Sequence, residues 1–366
     1  MDCTKIPTRP QKENTMPQNR YIKSPLNYTG GKYRLLDRIL PAFPRDYHRF
    51  VDLFAGGFNV GINVDAPVIY ANDQITYLIG LYEFFRGTPA ETILGLIRER
   101  IAEYELSDQN TEGYLALRRE YNRTGRPIDL FVLTCYSFNH QIRFNQKHEF
   151  NIPFGRNRSA YNPSIEANLV RFVEALQQKD IRFSTRDFLS FDFSVLQPGD
   201  LVYCDPPYLI SNGSYNDGRR GFKDWTPLED RQLLSLLDEL DRAKILFALS
   251  NVFVHKGMTN EELIRWSQRY HVLHLEQNYA NCSYHAKDRS GNTQEVLITN
   301  YLPPGPMFGV RGIRKDRPYR TVFFAAICFI AESTGGSAGP AIPSGAAAGH
   351  TSHSYPGSPG FRSSPG

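Results

Sequence analysis

The sequence predicts an α/β fold with a mostly parallel sheet covered on both faces, and three observations carry that prediction. Short apolar runs alternate with longer stretches of helical periodicity, the pattern of strands separated by helices. The first such run, "RFVDLFAGG", passes straight into glycines. A later one, "VYCDPPY", stops at two prolines, which have no N–H to give a sheet ladder.

Taken in order, residues 1–20 are polar, rich in Pro, Gln and Lys and without periodicity, which predicts a mobile arm. Gly30 and Gly31 predict a turn. Leu35, Leu36, Ile39 and Leu40 then recur at helical spacing until Pro41 ends the helix. A strand is expected over Arg49 to Phe54, and a second in "PVIYAND", closing on Asn72 and Asp73. Residues 75–105 read as helices, with "LIGLYEFF" and "AETILGLIRERIAEY" amphipathic.

Between 106 and 175 the character changes. Two helical stretches, "EGYLALRREYN" and "DLFVLTCYSFN", lead into the polar, basic and aromatic "NHQIRFNQKHEFNIPFGRNRSAYNPS". Alternation then resumes with strands in "IRFSTRDF" and "DLVYCDPPY", a helix over "PLEDRQLLSLLDELDRA" and a strand "KILFALSNV". A helix in "NEELIRWSQRY" precedes "HVLHLEQNY" and a last strand, "EVLITNY". The expected organisation is one α/β domain from 21–105 and 176–301, an inserted mainly helical domain at 106–175, and a tail at 302–366. That tail is dominated by Pro, Gly, Ser and Ala and is expected to be disordered. An apolar patch at 321–331 within it has no obvious partner.

The 366 residues suffice for one large domain with an insertion or for two domains. With 41% apolar and 22% charged residues the composition is that of an ordinary globular protein. No leading signal segment is read. The longest apolar run, "TVFFAAICFIA", is about half of the roughly 20 residues needed to cross a bilayer. Cys3, Cys135, Cys204, Cys282 and Cys328 form no C-x-x-C pair, which argues against a disulfide framework or zinc knuckle and for a reducing, cytoplasmic setting. A net charge of +4 permits a polyanionic partner without demanding one.

Open α/β sheets bind ligands at the carboxyl ends of their strands. "DLFAGGFNVG" lies at such an end, where glycines let a ligand approach the backbone. Asp73 ends the next strand, where an acid can bond ribose hydroxyls. The spacing is not G-x-G-x-x-G, so a phosphate cradle is not indicated. "DPPY" delivers a carboxylate, a rigid carbonyl and an aromatic face to the same edge. Asp205 can accept one N–H of an amino group and the Pro206 carbonyl the other, while Tyr208 can stack on a flat heterocycle. Two acceptors aimed at an exocyclic amine orient its lone pair and stabilise positive charge developing on nitrogen during methylation.

From Tyr21 to Tyr301 the chain resembles the Dam-type (D12 class, α-group) DNA adenine-N6 methyltransferases. "NYTGGK" is similar to the family's amino-terminal motif, "FVDLFAGGFNVG" to its methyl-donor loop, "YAND" to its ribose acid and "DPPY" to its catalytic motif. The resemblance implies a Rossmann-like S-adenosylmethionine-dependent methyltransferase fold. It implies a cofactor site of Tyr28, Lys32, Asp52, Phe54, Gly56, Asp73 and Asp205, with Asp187 and Phe188 holding the cofactor's adenine. Asp205, Pro206 and Tyr208 would be catalytic, acting on an adenine flipped out of duplex DNA. Two departures are Phe58, where the family usually has a small residue, and Asp52 in place of glutamate.

"NHQIRFNQKHEFNIPFGR" resembles the family's target-recognition region. Arg143 can pair bidentately with guanine, and Asn139 and Asn145 can read adenine or touch phosphate. Lys147, Arg156 and Arg158 are candidate phosphate contacts. The resemblance suggests GATC or a related short site, with a cognate restriction endonuclease as a possible companion. Arg219, Arg220 and Trp225 either clamp DNA or cap the next helix. His271 and His274 read as structural, and no metal is expected. Methylation of RNA or of a protein amide, and DNA binding without catalysis, are the rival readings.

Overall fold

The computed structural model describes residues 20–145, 147–210, 225–275 and 293–304. Several expectations lie outside the described residues: the arm before Arg20, Arg219 and Arg220, the end of "HVLHLEQNY", and the tail from 305 with its apolar patch. Cys3, Cys282 and Cys328 lie outside them too, whereas Cys135 and Cys204 are buried.

After the Gly30–Gly31 turn the chain does not form the continuous helix expected. A 3-10 turn at Lys32–Leu35, one α-turn at Leu36–Ile39 (α1) and a second 3-10 turn at Leu40–Ala42 follow one another. The stretch between the glycines and Pro41 is too short for a stable α-helix, and it is held by burying Leu36 and Ile39. Strand β1 (Arg49–Asp52) is shorter than expected, yet Leu53 N still donates to Tyr203 O at 3.0 Å. Strand β2 (Val68–Asn72) and helices α2 (Thr76–Gly87) and α3 (Ala90–Glu103) follow. Helix α4 (Thr111–Thr124) is capped by Asn110 and closed by Gly125 in the left-handed region. Helix α5 (Pro127–Tyr136) is buried from Ile128 onward.

Helix α6 (Pro163–Gln178) runs through residues 175 and 176 without a break and packs on α2 and α3. Next come β3 (Ile181–Ser184), β4 (Leu201–Cys204) and α7 (Pro227–Arg242), which opens with a capping box of Thr226 and Glu229. The remainder is β5 (Leu246–His255), β6 (Met258–Thr259), α8 (Glu261–Ser267), β7 (His271–His274) and β8 (Gln294–Thr299).

The strands form one sheet in the order β3-β2-β1-β4-β5-β8-β7, with β6 on the end of β5. The first five are parallel, and β8 runs antiparallel between β5 and β7. Alternate side chains divide the core. Phe50, Tyr203, Ala248 and Leu297 join the cluster containing residues of α2, α3, α5 and α6. Val51, Val202, Phe247 and Ile298 join the cluster containing residues of α7 and α8. Burial on both faces is why these strands read as continuous apolar runs. From β1 the chain winds outward to β2 and β3, then returns to β4 and β5 on the other side. The carboxyl ends of β1 and β4 therefore flank the switch point of the fold, where a crevice opens.

Candidate active site at the switch point

That crevice is a cleft of about 440 Å³ lined by residues from every parallel strand end. Asp52, Phe54 and Gly56 come from β1, Asp73 from β2, Asp187 and Phe188 from the segment after β3, and Asp205 to Tyr208 from β4. Tyr28 and Lys32 close it from the amino-terminal side. All the residues expected at a cofactor or catalytic site thus line one cavity.

Its framework is a set of backbone bonds. Tyr28 O accepts from Gly31 N at 3.1 Å with Gly30 at φ +79°, a type II turn that needs glycine at that position. The Tyr28 side chain lies across the glycine loop. A Cβ at Gly56 would stand 3.0 Å from its ring, and one at Gly57 would stand 3.0 Å from its Cβ. Asp73 spans the loop, its Oδ2 accepting from Gly56 N at 2.8 Å and its Oδ1 from Ile75 N at 2.9 Å. Each oxygen keeps a second lone pair for a ligand. Asn72 bonds Leu53 O and Arg186 O, fixing the 186–188 segment against the end of β1.

Phe58 is the departure that sequence alone left open. It lines the cleft with φ +54° and packs its fully buried ring against Tyr82 and Phe183. Gly61 makes room: a Cβ there would lie 2.1 Å from the Phe58 ring. Gly61 N also donates to Asp52 Oδ2 at 3.0 Å.

Electrostatically the cleft is acidic. The carboxyl groups of Asp52, Asp73, Asp187, Asp205, Glu229 and Glu295 line it against the fixed cations Lys32 and Arg186. Burial, reinforced by the charges of Asp205 and Asp73, pushes Asp52 up to about 8, and burial pushes Asp73 up to about 6. Burial also raises Asp205, but Lys32 opposes that shift. The Lys32 ammonium, only 5% exposed, sits 2.9 Å from Asp205 Oδ2 and donates to Gly30 O at 2.8 Å. Tyr208 donates its hydroxyl to Asp205 Oδ1 at 3.1 Å, and its ring lies 5.0 Å from the Lys32 ammonium. Tyr208 is therefore anchored to the acid and remains half-buried, rather than standing apart from it.

Some lining residues were not expected there from the sequence. Trp225, expected either to clamp DNA or to cap a helix, packs on Phe54 at 5.7 Å and Phe188 at 5.5 Å while donating to Asp230. With Phe54 and Phe188 themselves 5.5 Å apart, three rings form an apolar end to the cleft. Val252, His255, Thr293 and Glu295 also line the cleft, with Glu295 near enough for its charge to add to burial and Asp205 in raising the Tyr208 phenol. Only cross-strand pairing of β5 with β8 unites these four.

The basic segment folds as an irregular hairpin on α4 and α5, with bridges Ser137 to Phe154 and Phe144 to Phe150. Arg143 Nε donates to Asn151 Oδ1 at 3.0 Å. The Asn145 side chain closes the hairpin, accepting from Lys147 N and Glu149 N. Arg158 lies over the exposed Phe138 ring at 4.7 Å and bonds Asn139 Oδ1. Lys147 and Arg156 are exposed. Two contacts tie this hairpin to the cleft: Asn27 Nδ2 donates to Asn139 O at 2.8 Å, and Tyr77 at the start of α2 stacks on Phe144 at 3.6 Å. His271 and His274 sit on β7, and no metal-binding cluster occurs among the described residues. None of the described helices is long and apolar enough to cross a membrane.

Comparison with known proteins points the same way. The type II methyltransferase M.FokI of Planomicrobium okeanokoites is 52% identical over 283 residues, covering 77% of this chain and 43% of the relative. The modification methylase StsI of Streptococcus sanguinis is 48% identical over 284 residues, with the same coverage. The DNA adenine methylase of Escherichia coli K12 is 28% identical over 263 residues, 70% of this chain and 88% of the relative. The chain thus spans less than half the length of the first two. Residues 28–281, which hold the glycine loop, the paired Lys32 and Asp205 and the hairpin, match one family along their whole length. The chain belongs to the D12 class N6 adenine-specific DNA methyltransferases.

Proposed function

We propose that the chain methylates N6 of adenine in a short duplex DNA site, with S-adenosylmethionine as methyl donor. The observation that carries this reading is that Asp205, Pro206 and Tyr208 open on the same cleft as Asp52, Asp73, Phe54 and Phe188. The donor fits the residues present. An acidic cleft suits a ligand with ammonium and sulfonium charges, Asp73 retains lone pairs for ribose hydroxyls, and the three aromatic rings suit a purine. When bound, S-adenosylmethionine supplies an electrophilic methyl group.

The remaining work falls to the chain's own side chains. Asp205, whose anionic form Lys32 favours, and the Pro206 carbonyl would accept the two N–H groups of the amine and direct its lone pair at the carbon attacked. Tyr208, steadied by its bond to Asp205, stacks on the flipped base. Asp187 and Phe188 bound the purine end of the donor site, and Tyr28 covers the glycine loop.

The hairpin from 137 to 158 is the proposed DNA reader, carried on α4 and α5 within the expected 106–175 insertion. Arg143 pairs with a base edge, with Asn139 beside it. Asn145 keeps the hairpin shut, and Lys147, Arg156 and Arg158 meet phosphates. Two relatives bear the names of type II or modification methylases. By extension the reaction here protects a site, GATC or a related one, from a companion endonuclease in the cytoplasm. Label transfer from S-adenosylmethionine with duplex DNA, RNA and protein extract in competition is the test. Methyl incorporation into duplex DNA supports the reading; incorporation only into RNA or protein refutes it.

A further inference from the structure

Strand β5 runs past the end of β4. Cys204, the last residue of β4, pairs with Leu249, and β5 continues from there to His255. The peptide bearing Asp205 to Tyr208 leaves the sheet beside this extension, and Tyr203 Oη lies 2.8 Å from Ser250 Oγ. Side chains alternate along a strand, so Ala248, Ser250 and Val252 share the face of Tyr203. By the same rule His255 would point away from the cleft.

A β-bulge reverses that. Val252 pairs with Glu295 and Val254 with Gln294, so two steps on β5 are matched by one on β8. The extra residue brings His255 to the face of Val252, opposite Thr293, while Thr293 and Glu295 share one face of β8. All four line the cleft, and the charge of Glu295 reaches Tyr208. His255 Nδ1 lies 2.9 Å from Thr293 Oγ1. Its Nε2 is buried without a hydrogen-bond partner among the described residues. A buried polar atom left unpaired beside a ligand cleft needs an explanation, and a bound ligand supplies one.

We propose that His255 positions the acceptor base: its Nε2–H donates to a ring nitrogen of the adenine whose amine lies at Asp205. The ring nitrogens of adenine only accept, which selects the tautomer. Thr293 donates its hydroxyl proton to Nδ1, and the proton on Nε2 faces the base. The bulge is then a device that aims one side chain, and the sheet supplies one wall of the base pocket. This inference rests on the reading of the cleft as an adenine-N6 methylation site.

The test uses the full chain and duplexes bearing its site, mapped first on unmethylated bacterial DNA. The target adenine is replaced in turn by 1-deazaadenine and 7-deazaadenine, the two positions flanking the amine. His255→Ala is expected to lower kcat/KM on the adenine duplex about tenfold while S-adenosylmethionine affinity by calorimetry is unchanged. One deaza duplex should cost the unmodified protein a similar factor and cost His255→Ala nothing further. His255→Asn, which keeps an N–H, should recover part of the loss, and Thr293→Val should lose a few-fold through the freed imidazole. Deaza losses that carry over in full to both His255 variants overturn the proposal. Absence of methyl transfer by the unmodified protein to any adenine duplex would instead overturn the underlying functional reading.

Discussion

The buried Lys32 and the partly buried Asp205 form an ion pair, Nζ to Oδ2 at 2.9 Å, between the turn that follows "NYTGG" and the end of β4. The two residues belong to motifs far apart in the chain, and each satisfies a need of the other. A lone buried ammonium would be costly, and a lone buried carboxylate would take up a proton. The pair keeps Asp205 an acceptor.

Removing the cation should therefore show in the pH dependence. Burial raises the Asp205 pKa and Lys32 lowers it, so Lys32→Met leaves burial opposed only by the Tyr208 hydrogen bond. The acidic limb of kcat against pH is expected to move to higher pH, with activity recovering as pH rises. A limb that stays in place would remove Lys32 from this role.

Stability of the free protein should fall as pH rises. Burial pushes Asp52 up to about 8 in the fold from the ordinary carboxylate value of 3.8, so between those values the folded state holds a proton that the unfolded state has lost. Its contribution is complete below about pH 4 and is gone above about pH 8. Asp52→Asn keeps an acceptor for Gly61 N and removes the titration. The variant should gain on the order of 4 kcal/mol over the parent at pH 8 relative to pH 5. Denaturant melts at the two pH values measure it, and parallel curves for parent and variant would contradict it.

Phe58 and Gly61 should behave as one unit. Gly61→Ala places a methyl into the Phe58 ring and close to Asp52 Oδ2. A loss of about 1–3 kcal/mol is expected from overpacking. Phe58→Leu in the same chain should restore part of that loss. A double-mutant cycle by thermal unfolding reads the coupling, and strictly additive effects would argue against it.

Arg156 and Arg143 should differ in kind. Arg156→Ala is expected to weaken DNA binding evenly across sequences and to lower the slope of log K against log salt by about 0.9. Arg143→Ala should relax specificity at one base pair, at a cost of about 1–3 kcal/mol for the preferred site. Arg143 is also bonded to Asn151, so thermal melting of the variant must accompany the binding curve.

The edges of the parallel sheet were legible because each strand that feeds the site ends in a residue that cannot or need not pair onward. Gly56, Asp73 and Pro206 are all read this way from the chain. Lys32 and Tyr28 came from the family resemblance, since nothing in their local pattern announces a buried cation or a ring laid on glycines. The helix expected after Gly31 failed because periodicity over so few residues does not separate α from 3-10 turns. His255, Thr293 and Glu295 escaped because a bulge and an antiparallel pairing bring them together, and neither is written in local sequence. Trp225 was read as a DNA clamp or a helix cap, and its place at the cleft shows only in its contacts with Phe54 and Phe188.

The most direct test of the central claim is the identity of the methylated nucleoside. Unmethylated duplex DNA is treated with the protein and S-adenosylmethionine, digested, and resolved by mass spectrometry, in parallel with Asp205→Ala. The expected product is N6-methyldeoxyadenosine from the unmodified protein, with at least about a 1,000-fold loss of rate in the variant and DNA binding retained. Methylcytosine as the product, or undiminished turnover by Asp205→Ala, would contradict the account.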